Sequence, residues 1–168
     1  MNEFPIGAHH EPQILQFPGA SSAPPADTTI TAPPEAAPTQ QSVLVFSPRP
    51  GARQLLADDV RKRGLEVCET DSPDAMLFHL SRQEFHICII DDADTVSRLQ
   101  EVNAAIRSHS RSAQVLCIVS EDSRWGRETL PPFECEVIER PFTATRFGSA
   151  LLTAIQKAEL IQENEKLR

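Results

Sequence analysis

Three carboxylates at the end of an apolar run are the residues of this chain best suited to chemistry. In "FHICIIDDAD" (85–94), Ile87, Cys88, Ile89 and Ile90 lead directly into Asp91 and Asp92, and Asp94 is close behind. A strand that delivers a carboxylate to the edge of a sheet can help to hold a metal ion or a phosphate. Three other apolar runs end in polar groups. Ser47 closes "SVLVFS" (42–47), Ser120 closes "AQVLCIVS" (113–120), and Arg140 closes "CEVIER" (135–140), with Pro141 next. An acid, two hydroxyls and a guanidinium, each at the carboxyl end of a strand, could meet in one site.

The elements that must position these groups alternate. After 42–47, Pro50 suits a first helical turn, and Ala52, Leu55, Leu56 and Val60 recur at helical spacing before Gly64, a natural cap. "LEVCET" (65–70) reads as a short edge strand. Ser72-Pro73 starts a second helix with Ala75, Met76 and Leu80 on its apolar face. Strand 86–91 follows, then a helix striped by Val96, Leu99, Val102 and Ile106, then strands 113–120 and 135–140. A last helix runs from about Thr143 to the end. Alternating strands and helices imply a doubly wound parallel sheet, and the fully apolar central runs fit burial on both faces. In such sheets ligands sit at the carboxyl ends of the strands.

This order and these end residues resemble the receiver domain of bacterial response regulators, over about Ser42–Leu160. The resemblance implies five parallel strands in the order 2-1-3-4-5. It makes Asp91 the phosphate-accepting position, Ser120 the hydroxyl that ends the fourth strand, and Arg140 the counterpart of a lysine that precedes a proline. "RPF" (140–142) stands where the family often has Lys-Pro-Phe, and the family's bond before that proline is cis.

The departures from the family decide the expected function. Receivers hold Mg²⁺ with two adjacent acids at the end of the first strand, where this chain has Ser47-Pro48. Magnesium wants an octahedron of oxygens, usually including carboxylates, and phosphoryl transfer to an aspartate needs its charge. Asp92 is not expected to replace the missing acids, since neighbouring strand side chains point to opposite faces. Arg49 brings positive charge to the place of the cation. Arg140 is permanently charged and suited to a two-pronged grip on a carboxylate, so it is expected to pair with Asp91 constantly. The expected pocket is therefore Ser47, Asp91, Asp92, Ser120, Arg140 and Pro141, with no cofactor unless the site still takes Mg²⁺, and no enzymatic activity. A working phospho-acceptor is the alternative.

The stretch "EDSRWGRETLPPFE" (121–134) holds two prolines and few apolar residues, so the family's fourth helix is expected to shrink to a turn or two near Arg124–Thr129. Trp125, the single tryptophan, is either a contact for a partner or a lid on the domain's own core. At the far end, "AELIQENEKLR" (158–168) is rich in helix formers with i,i+4 charge support. Leu160, Asn164 and Leu167 follow a d-a-d pattern with a core asparagine, which favours two strands in register. A homodimer, or a helix joined to an output domain as in bacterial enhancer-binding activators, is the expected assembly. The domains are expected at 1–41 (a Pro/Ala-rich disordered arm), 42–156 (the receiver-like domain) and 157–168 (a helical extension).

Composition narrows the partners. The chain of 168 residues carries a formal charge of −8, with a pI near 5.1, which argues against direct nucleic-acid contact. No apolar run approaches 18 residues, and no basic region precedes an apolar core at the N-terminus, so neither a membrane span nor a signal peptide is expected. Residues 1–41 hold eight of the 14 prolines and no Lys or Arg. Such a segment buries too little to offset its ordering entropy. Its apolar island, Pro12–Gly19, is either a docking motif or a stray patch. Cys68, Cys88, Cys117 and Cys135 are widely spaced and read as reduced packing residues of a cytoplasmic protein. The histidines (His9, His10, His79, His86, His109) show no ligand spacing and read as tail and surface residues. "DDADTV" (91–96) faintly resembles a haloacid-dehalogenase phosphatase motif, but on the wrong strand. No glycine-rich phosphate loop follows the first strand.

Overall fold

The computed structural model describes residues 40–125 and 131–168. Residues 1–39 of the expected arm, with the Pro12–Gly19 island and the His9-His10 pair, lie outside the described residues. So does most of the short helix expected at Arg124–Thr129.

The described chain runs β1 (Ser42–Phe46), α1 (Pro50–Arg61), β2 (Glu66–Thr70), α2 (Pro73–Leu80), β3 (Ile87–Ile90), a 3₁₀ turn (Ala93–Thr95), α3 (Leu99–His109), β4 (Gln114–Val119), β5 (Glu136–Glu139) and α4 (Ala144–Lys166). All four strand pairings are parallel, in the order β2-β1-β3-β4-β5. This is the expected doubly wound order. Strand alternation divides the core in two. Leu44, Phe46, Cys88, Ile90, Cys117 and Val119 face Met76 and Leu80 of α2 and Val102 and Ile106 of α3. Val43, Val45, Ile87, Ile89, Leu116 and Ile118 face Leu56 and Val60 of α1 and Phe147, Leu151 and Ala154 of α4. With a helix pair on each face, β3 is buried at every position. That is why its sequence is an unbroken apolar run rather than an alternating one.

The helix starts follow local chemistry. Pro50 and Pro73 sit in the first turns of α1 and α2, where a missing N–H costs nothing. The Ser72 hydroxyl accepts from the Ala75 N–H at 3.2 Å, and the Thr143 hydroxyl accepts from the Arg146 N–H at 3.1 Å. Gly64, at φ 77°, reverses the chain after α1.

Three local expectations shift. The third helix begins at Leu99, not at Val96, because Asp92 and Arg98 both adopt left-handed backbone around the 3₁₀ turn. The fifth strand begins at Glu136, so Cys135 lies on the approach to β5 rather than in it. His86 is not a free surface residue: it is half-buried, and its Nδ1 accepts from the Ser42 N–H at 3.0 Å. The last helix is continuous through 157. Ala158 is buried, and the Ser112 hydroxyl donates to Glu165 at 3.1 Å.

Candidate functional site

The carboxyl ends of β1, β3, β4 and β5 line up, and the site forms where three of them meet. The Asp91 N–H donates to the Phe46 carbonyl at 2.9 Å, which carries the β1–β3 ladder one step past the strands. The Arg140 N–H donates to the Val119 carbonyl at 2.9 Å and does the same between β4 and β5. Asp91 is therefore delivered, fully buried, to the sheet edge, with Ser47 on one side and Arg140 on the other. The Arg140–Pro141 bond is cis, as the resemblance implied.

Four donors surround the Asp91 carboxylate. Oδ1 accepts from Arg140 Nη2 at 2.5 Å and from the Asp92 N–H at 3.0 Å. Oδ2 accepts from the Ser47 hydroxyl at 2.8 Å and from Arg49 Nη2 at 3.2 Å. An ionised carboxylate offers about four lone-pair positions, so every position has a donor. The same Arg49 nitrogen reaches Asp92 Oδ1 at 3.2 Å, and Arg140 Nε lies 4.0 Å from that oxygen. Two carboxylates and two guanidiniums thus form one neutral cluster. Its Asp91 side chain is wholly covered, while that of Arg49 is 51 % exposed. Arg53 supports the turn by donating to the Ser47 carbonyl at 2.9 Å.

Asp92 corrects a sequence argument. Strand alternation would send its side chain to the opposite face from Asp91. But β3 ends at Ile90, and Asp92 has φ 51° and ψ 38°. The left-handed turn swings its carboxylate back to Arg49. Period-two reasoning holds only within the strand.

Ser120 is not brought onto Asp91. Its hydroxyl lies 3.5 Å from Asp94 Oδ2, at the limit of a hydrogen bond. Asp94, the third acid of the 85–94 run, is the one that meets Ser120 at the end of β4, and its Oδ1 is buried without a partner. Trp125 is half-buried against the α2/α3 core, and its backbone N–H donates to the Ser123 hydroxyl at 3.2 Å. Leu160, Asn164 and Leu167 are exposed, the leucines by 60 % and 86 %.

A hard divalent cation does not suit this donor set. A guanidinium nitrogen already lies between the two carboxylates that would have to ligate it, and the β1 positions supply a hydroxyl and a proline. Among the described residues, no group of three His, Cys, Asp or Glu is arranged to hold a metal ion. No described helix is long and apolar enough to cross a membrane.

No family model matches the sequence, and no curated protein matches it significantly. Solved structures do match the fold. A response regulator receiver domain protein from Bacillus halodurans has a TM-score of 0.56 at 16 % identity, covering 68 % of this chain and 97 % of its own. The receiver domain of the sensor histidine kinase PA1611 from Pseudomonas aeruginosa, with magnesium in its active-site cleft, has a TM-score of 0.59 at 16 % identity, covering 70 % and 98 %. NtrX from Brucella abortus, in complex with ATP, has a TM-score of 0.60 at 19 % identity, covering 77 % of this chain and 29 % of NtrX. The chain has the receiver fold.

Proposed function

We propose that this chain is a receiver-like regulatory module in bacterial signalling or transcription control, acting through protein contacts and independently of phosphorylation. The observation that carries this reading is the saturated carboxylate of Asp91. An acceptor must offer a free lone pair to an anionic phosphoryl donor, with a cation nearby to offset the charge. Here the lone pairs are engaged by Ser47, Arg49, Arg140 and the Asp92 N–H. The positive charge is already matched by Asp91 and Asp92. The cluster acts as a fixed latch that ties the ends of β1, β3 and β5 in one arrangement. The module has no catalytic residue and needs no cofactor.

Partners are proteins: an output domain, or a second copy joined through the exposed stripe of α4. The net charge of −8 disfavours direct nucleic-acid contact by this segment, and the free thiols suit a reducing cytoplasm. Receiver neighbours from bacterial regulators, NtrX among them, support a place in signalling.

The test is an amide NMR titration of the full chain with Mg²⁺ and then beryllofluoride. The expected result is no saturable shift at Asp91, Ser120 or Arg140. Shifts there that saturate at millimolar Mg²⁺ would return Asp91 to the role of phospho-acceptor.

A further inference from the structure

Two of the four cysteines form a pair that neither spacing nor strand order suggested. The β4–β5 register sets Cys117 opposite Val137. Cys135 lies two residues before Val137, on the approach to β5, and it packs against the core cluster that contains Cys117 with Val102 and Ile106 of α3. Their environments differ. Cys117 is fully buried, with Cys88 beyond it, whereas Cys135 is partly exposed on the wall of an open cavity of about 540 Å³. Arg107 stands beside Cys135 and is fixed there by three carbonyls: those of Arg111 at 3.2 Å, Ala113 at 3.4 Å and Glu134 at 3.2 Å. Arg111 and Lys157 also line the cavity, as do Glu134 and Glu136.

We propose that Cys135 is a peroxide-reactive thiol and that Cys117 is its resolving partner, so that oxidation joins β4 to the approach of β5. The Cys135 sulfur attacks the distal oxygen of a hydroperoxide. The S–O bond forms, the O–O bond breaks, and the leaving oxygen departs as water or alcohol with the thiol proton. Cys117 then attacks the Cys135 sulfenic sulfur. The S–S bond forms, the S–OH bond breaks, and hydroxide leaves as water with the Cys117 proton. Two thiols lose two electrons in total and one hydroperoxide gains them.

Exposure sets the order of attack, since Cys135 borders the open cavity and Cys117 is buried, and the charges act in the same direction. A hydrogen bond from Cys117 lowers the Cys135 thiol below its ordinary value, against partial burial, and Arg107 adds to the lowering. The same bond raises Cys117, with burial and Cys88 acting in the same direction. The thiolate, not the thiol, is the nucleophile. Cys68 is an internal control. It is also half-buried, but burial, Glu66 and Glu69 all raise it. Burial pushes Cys88 up to about 12, with Arg107 opposing. Backbone geometry sets the second step. A disulfide needs Cα atoms about 4.4–6.8 Å apart, so the backbone must draw in for a diagonal pair on neighbouring strands to be joined. Because β5 begins only at Glu136, the backbone at Cys135 is free of the ladder and can close that gap.

The test needs no variant at first. The reduced full chain is alkylated under native conditions at pH 7, and modification is followed by peptide mass spectrometry. Cys135 should react about tenfold or more faster than Cys68. Treatment with stoichiometric hydrogen peroxide, then alkylation in denaturant, should yield a linked Cys117–Cys135 peptide with Cys68 and Cys88 still alkylated. Cys135→Ser should abolish the link, and Cys117→Ala should leave a dimedone-reactive sulfenic acid at Cys135. Equal alkylation of Cys135 and Cys68, or a sulfenic acid that persists at Cys135 in the unsubstituted chain, would overturn the proposal.

Discussion

The neighbours of one carboxylate, Asp91, decide how the fold responds to its loss. In a site crowded with acids, removing one carboxylate relieves repulsion. In this chain Asp91 sits between two guanidiniums, so its removal does the opposite. Asp91→Asn should destabilise the fold by about 2–4 kcal/mol, because a buried ion cluster that loses one partner keeps uncompensated charge. A shift of the urea midpoint at constant slope would measure this. An increase in stability would show that the guanidiniums do not hold Asp91. Restoring acids gives the converse test. Ser47→Asp with Pro48→Asp and Arg140→Lys should leave a fold that is weaker without Mg²⁺ and recovers with it. Recovery should approach about 2.7 kcal/mol when the ion is at 100 times its dissociation constant. At this scale the sequence was most legible where a residue type has one meaning. Arg140, permanently charged and standing where the resembled family has its lysine, could be paired with Asp91 once that resemblance was drawn. Arg49 was legible only as nearby charge, since which carboxylate it reaches depends on the turn after β1. Asp92 was misread because the left-handed backbone that redirects it has no glycine to announce it.

Elements are held to one another by charges that reach across loops. Arg98, between the 3₁₀ turn and α3, pairs with Asp74 of α2 and with Glu101 of α3, the latter at 2.7 Å. The hydrogen bond from Arg98 lowers the Glu101 carboxyl below its ordinary 4.5, against slight desolvation, and the attraction between the charges adds to it. A lowered folded value means that this contribution is present above pH 4.5 and lost as the pH falls through the folded value. Arg98→Ala should raise the Glu101 titration midpoint towards 4.5, followed by carboxyl NMR, and leave neutral-pH stability almost unchanged, since the pair is exposed. Ser72→Ala should cost about 1 kcal/mol, the usual worth of an N-cap, and the loss should be read in equilibrium unfolding rather than in helix content. The strands and helix starts were legible because apolar runs and Ser-Pro or Pro signals act locally. Strand ends were less so. Cys135 was assigned to a strand on composition, yet the ladder with β4 begins one residue later, and only the register reveals its closeness to Cys117.

At the scale of the whole molecule, the last helix carries a stripe that the domain's core does not use. α4 spans 23 residues, about 35 Å at 1.5 Å per residue, and its inward face is fully occupied. Phe147, Ala150, Leu151, Ala154 and Ala158 are buried along it, and Ser112 fastens Glu165 at the base. Leu160, Asn164 and Leu167 are left on exposed surface. A helix held by its own domain loses little further freedom on pairing, so such a stripe is better prepared for association than a free arm would be. The chain should therefore form a dimer whose population rises with concentration in analytical ultracentrifugation. Each leucine buried at such a seam contributes about 1.5–3 kcal/mol. Leu160→Glu should then weaken the dimer by about 100-fold or more, since each 1.4 kcal/mol is tenfold, with the urea midpoint of the monomer unchanged. Asn164→Leu should act differently. A core asparagine restricts a coiled coil to two strands in register, so its replacement should strengthen association while admitting trimers and larger species. A monomer at every concentration, in both the unsubstituted chain and Asn164→Leu, would assign the stripe to an output domain rather than to a second copy.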